Sequence, residues 1–194
     1  MSRVATKHIK GFLTPEEGKR VYDHLIETIE WEEGIRSRKG FTRLAKPLRP
    51  DQDPMVTDVL IRAMSKLGLK NHEVLGIYLN YYQDGTMWTP SHNHQGQKQV
   101  VISLGATRTL KVGAKNYPME NGDLIFFGSS YHQVPKEPEI TEGRISIAAF
   151  CIPDEVVPAD ATGDQMKDII SRLKALGFAH GDIIVDGDNV ILVE

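Results

Sequence analysis

The sequence predicts an α+β protein built on a β-sandwich or jelly roll. Two capped amphipathic helices come first, a train of short β-type runs follows, and turn residues separate those runs. At 194 residues and 40% hydrophobic composition, the chain can bury one full-sized core with a small appended unit, but not two substantial cores.

The first helix starts at Thr14, an N-cap residue followed by Pro15 at the first helical position and Glu17 at the third. Val21, Leu25 and Ile29 recur at helical spacing, so it runs to about Ile29. Asp53-Pro54 opens a second helix, in which Val56, Val59, Leu60, Ala63, Met64 and Leu67 mark one face until Gly68 ends it. Both apolar faces need a partner, and the strands that follow supply it. From Val74 to Pro153 the clearest runs are LGIYLNYY, QVVISLGA, RTLKVGA, DLIFFGS and RISIAAFCI. Gln83-Asp84-Gly85, Glu120-Asn121-Gly122-Asp123 and Glu142-Gly143 sit where hairpins or crossovers belong. After a proline-rich linker from Pro153 to Pro158, Thr162 and Gln165 form a capping-box pattern. Met166, Ile169, Ile170, Leu173 and Leu176 then give a helical stripe that Gly177 stops. DIIVDGDNVILVE reads as a hairpin about Asp186 to Asn189. The expected organisation is a main domain over residues 1–155 and a small helix-hairpin extension over 156–194. An extra packing layer accounts for the extension more simply than an interaction module does.

A formal net charge of −3 and a pI of about 6.2 argue against a generally sticky nucleic-acid or membrane binder, so any polyanion site must be local. The single cysteine, Cys151, excludes an intramolecular disulfide and any multi-cysteine metal site. No stretch approaches the roughly 18 apolar residues of a membrane span, and the N-terminus has no apolar run before its charges. A cytoplasmic protein with no membrane partner is the expectation.

Chemistry concentrates in the histidines. His92 and His94 stand two apart in Ser91-His92-Asn93-His94, and His132 follows after three expected strands. In an extended chain that spacing puts both imidazoles on one face, roughly 7 Å apart at Cα, where they can close on one ion with a third ligand from a distant strand. Imidazole suits Fe(II), zinc and copper alike, and exposed or hydrogen-bonded core histidines give the same pattern. Arg144 opens RISIAAF, where residues 144, 146, 148 and 150 share a face. An arginine aimed into a sandwich calls for an anion, with a carboxylate or phosphate in its fork; a structural salt bridge at the strand end is the alternative.

Asn80-Tyr82-Asp84-Gly85, then His92, resembles the AlkB-like dioxygenase pattern N-x-Y-x-D-G followed by H-x-D. Ser103-Leu104-Gly105, Asn121-Gly122-Asp123-Leu124, His132 and Arg144-Ile145-Ser146 resemble that family's remaining blocks in order, and FLTPEEGKRVYDHLIETIEW resembles its entry helices, over residues 8 to 153. The resemblance implies a double-stranded β-helix in which His92 and His132 bind Fe(II). It also implies that Asn80, Tyr82, Arg144 and Ser146 hold the cosubstrate 2-oxoglutarate, with Arg144 on its distal carboxylate. O2 would be the oxidant, and the substrate, hydroxylated or demethylated, would be a nucleic-acid base or nucleotide in DNA, RNA or free form. His94 stands where the family has its aspartate ligand, and Phe150 where repair enzymes of this type carry a further arginine. A third imidazole raises the charge of the iron site by one. Three-histidine iron sites occur in other dioxygenases; a zinc hydrolase, a halogenase-type centre and a catalytically silent binding module are the competing outcomes.

From Arg36 to Arg49 the chain carries Arg36, Arg38, Lys39, Arg43, Lys46 and Arg49 with no acidic residue. Several such side chains could hold phosphates, with Phe41 and Trp88 stacking on a base. A solvated loop and ordinary packing are the alternatives.

Overall fold

A computed structural model describes residues 5–33, 42–69, 72–94, 97–153, 183–186 and 189–192. The chain divides into two compact units, Met1–Ile152 and Pro153–Glu194. In chain order the elements are β1 (Lys7–Ile9), α1 (Pro15–Thr28), β2 (Glu32–Glu33), β3 (Leu44–Leu48), α2 (Pro54–Leu67), β4 (His72–Tyr82), β5 (Thr89–His92) and β6 (Lys98–Gly105). Then come β7 (Arg108–Val112), β8 (Lys115–Met119), β9 (Leu124–Phe127), β10 (His132–Val134), β11 (Arg144–Pro153), β12 (Ile183–Asp186) and β13 (Asn189–Leu192).

Local chemistry sets both helices. Thr14 Oγ1 accepts the Glu17 N–H at 3.2 Å, and Asp53 Oδ1 accepts those of Met55 and Val56 at 2.9 and 3.0 Å, contacts worth about 1 kcal/mol per cap. Gly68 closes α2 at φ 73°, a conformation that favours glycine. The Glu17 carboxylate does not fold back on its own cap: it bonds Arg62 of α2 at 2.6 Å and ties the two helices together.

The strands form a seven-stranded sheet, β1-β9-β6-β11-β4-β3-β2, and a four-stranded sheet, β5-β10-β7-β8. Val21, Leu25, Val56, Leu60 and Met64 of the helices pack on one face of the large sheet, against Ile77, Val100, Ile102, Leu104, Ile145 and Ile147. A second core joins its opposite face, through Tyr82, Val101, Ile125, Phe127 and Ala148, to Leu110, Val112, Met119 and Val134 of the small sheet. Strands β6 and β9 are thus buried on both faces, which is why VVISL and LIFF are unbroken apolar runs rather than alternating ones.

Six strands have no counterpart among the expected runs: β1, β2, β3, β5, β8 and β10. Four strands rather than three separate His94 from His132, the addition being β8, which contains Pro118. Proline is tolerated there because β8 is a sheet edge. Similarly, β3 contains Pro47, opposite Tyr78 and beyond the two residues that β2 covers. Part of the expected basic loop is therefore strand, and Lys46 is ion-paired with Glu32 of β2.

One of the family-like blocks, and the closing glycine of another, prove to be scaffold. Asp123 accepts hydrogen bonds from the Gly11 N–H at 2.9 Å and the Glu120 N–H at 3.1 Å and pairs with His8 at 2.9 Å. Asn121 accepts the Gly105 N–H and donates to the Pro15 carbonyl, fastening α1 to β6. In the other block, Gly85 exchanges hydrogen bonds with Glu137 and Ile140, and a Cβ there would sit 1.7 Å from the Glu137 carbonyl oxygen.

In the second unit β12 and β13 pair antiparallel with Asp186 opposite Asn189, as the hairpin pattern predicts. The predicted linker from 154 and the helix over 162–176 lie outside the described residues. No described helix is long and apolar enough to cross a membrane.

Candidate active site

Strand pairing assembles the histidines. His132 on β10 lies directly opposite His92 on β5, with ring centroids 4.2 Å apart. The expected common strand for His92 and His94 does not continue: β5 ends at His92, and His94 comes from the segment after it. Its ring still stands 5.0 Å from that of His92 and 5.6 Å from that of His132. Ligand atoms of all three lie within 4.8 Å of one another, close enough to share one ion. No carboxylate joins this group among the described residues.

Two of the rings are held alike. His92 Nδ1 lies 2.8 Å from the Pro90 carbonyl oxygen and His132 Nδ1 lies 3.1 Å from that of Ser130. A carbonyl only accepts, so Nδ1 carries the hydrogen in each and Nε2 keeps a lone pair for a metal. Burial pushes His94 and His132 down to about 4, with lesser repulsion from His92. His92 is lowered too, again mainly by burial. All three are neutral at pH 7, the state that ligates metal.

Beside them runs the inner face of the large sheet. Arg144 is 1% exposed; its Nε donates to Ser103 Oγ at 2.9 Å, and its guanidinium stands 5.3 Å from the Tyr82 ring centroid. Its Nη2 is buried with no hydrogen-bond partner. Burial lowers its pKa to about 10, so it stays charged at neutral pH. Glu137, whose field reaches it, is ion-paired instead with Arg108 at 2.8 Å. The salt bridge expected as an alternative for Arg144 is therefore absent among the described residues, and no described acidic side chain occupies its fork.

Asn80 and Ser146 share this face, with Asn80 Nδ2 3.4 Å from Ser146 Oγ, and Tyr82 OH lies 2.6 Å from Thr89 Oγ1. Arg43 Nε donates to Asn80 Oδ1 at 2.6 Å, and its charge reaches His92 and His132. Phe150 packs its ring 4.7 Å from that of His94, and Phe127 packs 5.0 Å from His132. A run of contacts thus links the histidines on the small sheet, through Thr89 and Tyr82, to Arg144, Asn80, Ser146 and Arg43 on the facing large sheet and its margin. Trp88 has Lys136 Nζ 5.8 Å from its ring centroid, and its backbone N–H donates to the Thr42 carbonyl. Arg36, Arg38, Lys39 and Phe41 lie outside the described residues.

Sequence reasoning missed three polar residues. Ser103 backs Arg144, and Gln99 is 2% exposed on the same strand. Arg108 is 1% exposed and fully engaged, with Nε on Glu137, Nη1 on the Asp84 carbonyl, and Nη2 on those of Met87 and Pro135. Strand alternation was the available signal, since Arg108 shares a face with Leu110 and Val112, and Gln99 with Val101 and Ser103.

No protein-family model and no curated protein matches the sequence. Solved structures are similar in shape. A Pseudomonas putida prolyl-4-hydroxylase has TM-score 0.57 and 16% identity, covering 76% of this chain and 92% of that one. The non-heme alpha ketoglutarate dependent carbocyclase SnoK from nogalamycin biosynthesis has TM-score 0.61 and 11% identity, covering 76% and 79%. HygX from Streptomyces hygroscopicus, solved with nickel and 2-oxoglutarate bound, has TM-score 0.61 and 10% identity, covering 76% and 82%. At such identities the likeness establishes architecture: the chain folds as a double-stranded β-helix, or jelly roll, with two helices packed on its larger sheet.

Proposed function

We propose that this chain is an Fe(II)- and 2-oxoglutarate-dependent oxygenase with a three-histidine centre. One observation carries the proposal: three neutral imidazoles lie within 4.8 Å of one another, and the inner sheet face beside them carries a buried guanidinium whose Nη2 has no partner among the described residues. A hydrolytic zinc site would account for the imidazoles and leave Arg144 unexplained. Three neutral ligands leave both charges of a divalent ion uncompensated, and Arg144 adds a third; a dicarboxylate that reaches metal and arginine together answers both.

The residues present fit the two absent groups. His92, His94 and His132 would hold the metal, and Arg144, backed by Ser103, would hold the distal carboxylate of the cosubstrate. Val101 and Ala148 would line its methylenes. With both groups bound, their chemistry would couple oxidative decarboxylation of 2-oxoglutarate by O2, giving succinate and CO2, to insertion of the second oxygen atom into a substrate C–H bond. The protein's share is positioning and dryness. Pro90 and Ser130 hold two imidazoles in the ligating tautomer, while Phe127 and Phe150 keep water from the ring faces.

Within the oxygenases, the order of Asn80, Tyr82, His92, His132 and Arg144 supports a place near the AlkB-like branch. A nucleic-acid substrate has less behind it. Of the basic stretch, Lys46 is ion-paired and Arg43 is turned onto Asn80. Two structurally similar proteins bind other molecules: a prolyl hydroxylase from Trichoplax adhaerens is in complex with a hypoxia inducible factor peptide fragment, and HygX has hygromycin B bound. We therefore propose the oxygenase activity without tying it to DNA or RNA.

Calorimetric titration of metal-loaded protein, with nickel in place of iron, tests the proposal. 2-Oxoglutarate should bind only when metal is present, and succinate should form only after reconstitution with Fe(II) in air. Metal binding with no 2-oxoglutarate binding would instead favour a zinc hydrolase or a silent module.

A further inference from the structure

Gln99 is a buried amide with an unsatisfied donor: it is 2% exposed, and its Nε2 has no hydrogen-bond partner among the described residues. Burying a donor without a partner costs folding free energy, so an orphan between the two sheets calls for a ligand. The position is on the inter-sheet face. On β6, Gln99 alternates with Val101, which belongs to the inter-sheet core, and with Ser103, which bonds Arg144. Across the sheet it lies opposite Phe150 on β11 and Phe127 on β9. Those two rings pack on His94 and His132, so Gln99 stands between the aromatic supports of two metal-ligand candidates.

Along the inner face of β6 the sequence Ser103, Val101, Gln99 is therefore polar, apolar, polar, over about 13 Å at the usual strand rise. The Ser103 end carries Arg144, the other end the histidines. A 2-oxo dicarboxylate has the same order: distal carboxylate, methylenes, then the 2-oxo acid end that chelates metal.

We infer that Gln99 is a positioning residue for the cosubstrate, its Nε2 donating to a carboxylate oxygen at the metal-chelating end. The inference rests on the proposed oxygenase reading. It gives that end of the cosubstrate a donor from the protein to match Arg144 at the other, in a site whose metal ligands are all neutral.

The test compares wild type with Gln99→Leu and Gln99→Glu, following nickel affinity, 2-oxoglutarate affinity of the metal-loaded protein, and the visible charge-transfer band of the anaerobic Fe(II) complex. Both variants should bind nickel as wild type does. Gln99→Leu should weaken 2-oxoglutarate roughly tenfold and shift the band, and Gln99→Glu, which sets a carboxylate against a carboxylate, should weaken it further. A structural role alone would lower thermal stability without moving the band. Unchanged cosubstrate affinity and an unmoved band in both variants would overturn the inference while leaving the oxygenase reading intact. Wild-type protein that binds metal but never 2-oxoglutarate would overturn both.

Discussion

Arg144→Met separates a ligand-binding arginine from a structural one, because the two roles predict opposite outcomes. The guanidinium is fully buried, and the fall of its pKa from the ordinary arginine range to about 10 corresponds to ~3 kcal/mol by which its surroundings, burial foremost, disfavour the charge. Replacement by methionine, similar in length and apolar, removes that cost. It also loses the charge-assisted bond to Ser103, worth about 1.5–3 kcal/mol, although Ser103 keeps the Met119 carbonyl at 3.5 Å. The terms nearly cancel, so the melting temperature should move by only a few degrees or rise. Cosubstrate binding should respond quite differently, since losing one partner of a buried charge pair costs about 2–5 kcal/mol, a roughly thirtyfold or greater loss of 2-oxoglutarate affinity. Differential scanning fluorimetry and calorimetric titration of the nickel-loaded protein measure the two quantities. A variant that unfolds many degrees early yet binds 2-oxoglutarate like wild type would refute the reasoning.

Arg108 should behave in the contrary manner. Arg108→Met leaves Glu137 and the Asp84, Met87 and Pro135 carbonyls without their donor, and should cost about 3 kcal/mol or more, lowering the melting temperature by roughly 6–12 °C. Gly85→Ala, whose Cβ would meet the Glu137 carbonyl oxygen at 1.7 Å, should destabilise by at least about 2 kcal/mol in chemical denaturation. Glu137 also predicts a pH dependence. Burial pushes its carboxyl up, but hydrogen bonds from Thr109 and Arg108 outweigh that and hold it below 4.5. The unfolded state then binds more protons, so this contribution is complete above about pH 4.5 and fades as pH falls through the lower folded value. Denaturation series from pH 6 to 3 should show that loss in wild type and a shallower slope in Glu137→Gln.

The helices were legible because their signals are local: Thr14-Pro15 and Asp53-Pro54 cap, and Gly68 stops. Among strands, the long doubly buried ones announced themselves by composition. Short strands such as Thr89–His92 and His132–Val134 did not, since two to four polar residues are strand only because a partner lies alongside. The site divided likewise. His92, His132 and Arg144 stood out by residue type and order, whereas Gln99 and Ser103 matter through which face of β6 they occupy, and that depends on register. His94 illustrates the limit of spacing: it reaches the site through a segment that leaves the strand, not through strand alternation.

Anaerobic titration of the apo-protein with Fe(II) and then 2-oxoglutarate, with His94→Ala and His94→Asp alongside, tests the central claim most directly. The account predicts a weak visible charge-transfer band in the wild type, its loss or marked weakening in His94→Ala, and a shifted band in His94→Asp, where a carboxylate adds one negative charge at the metal. Folded, metal-loaded wild type that gives no band would contradict it, as would a band that His94→Ala leaves unchanged.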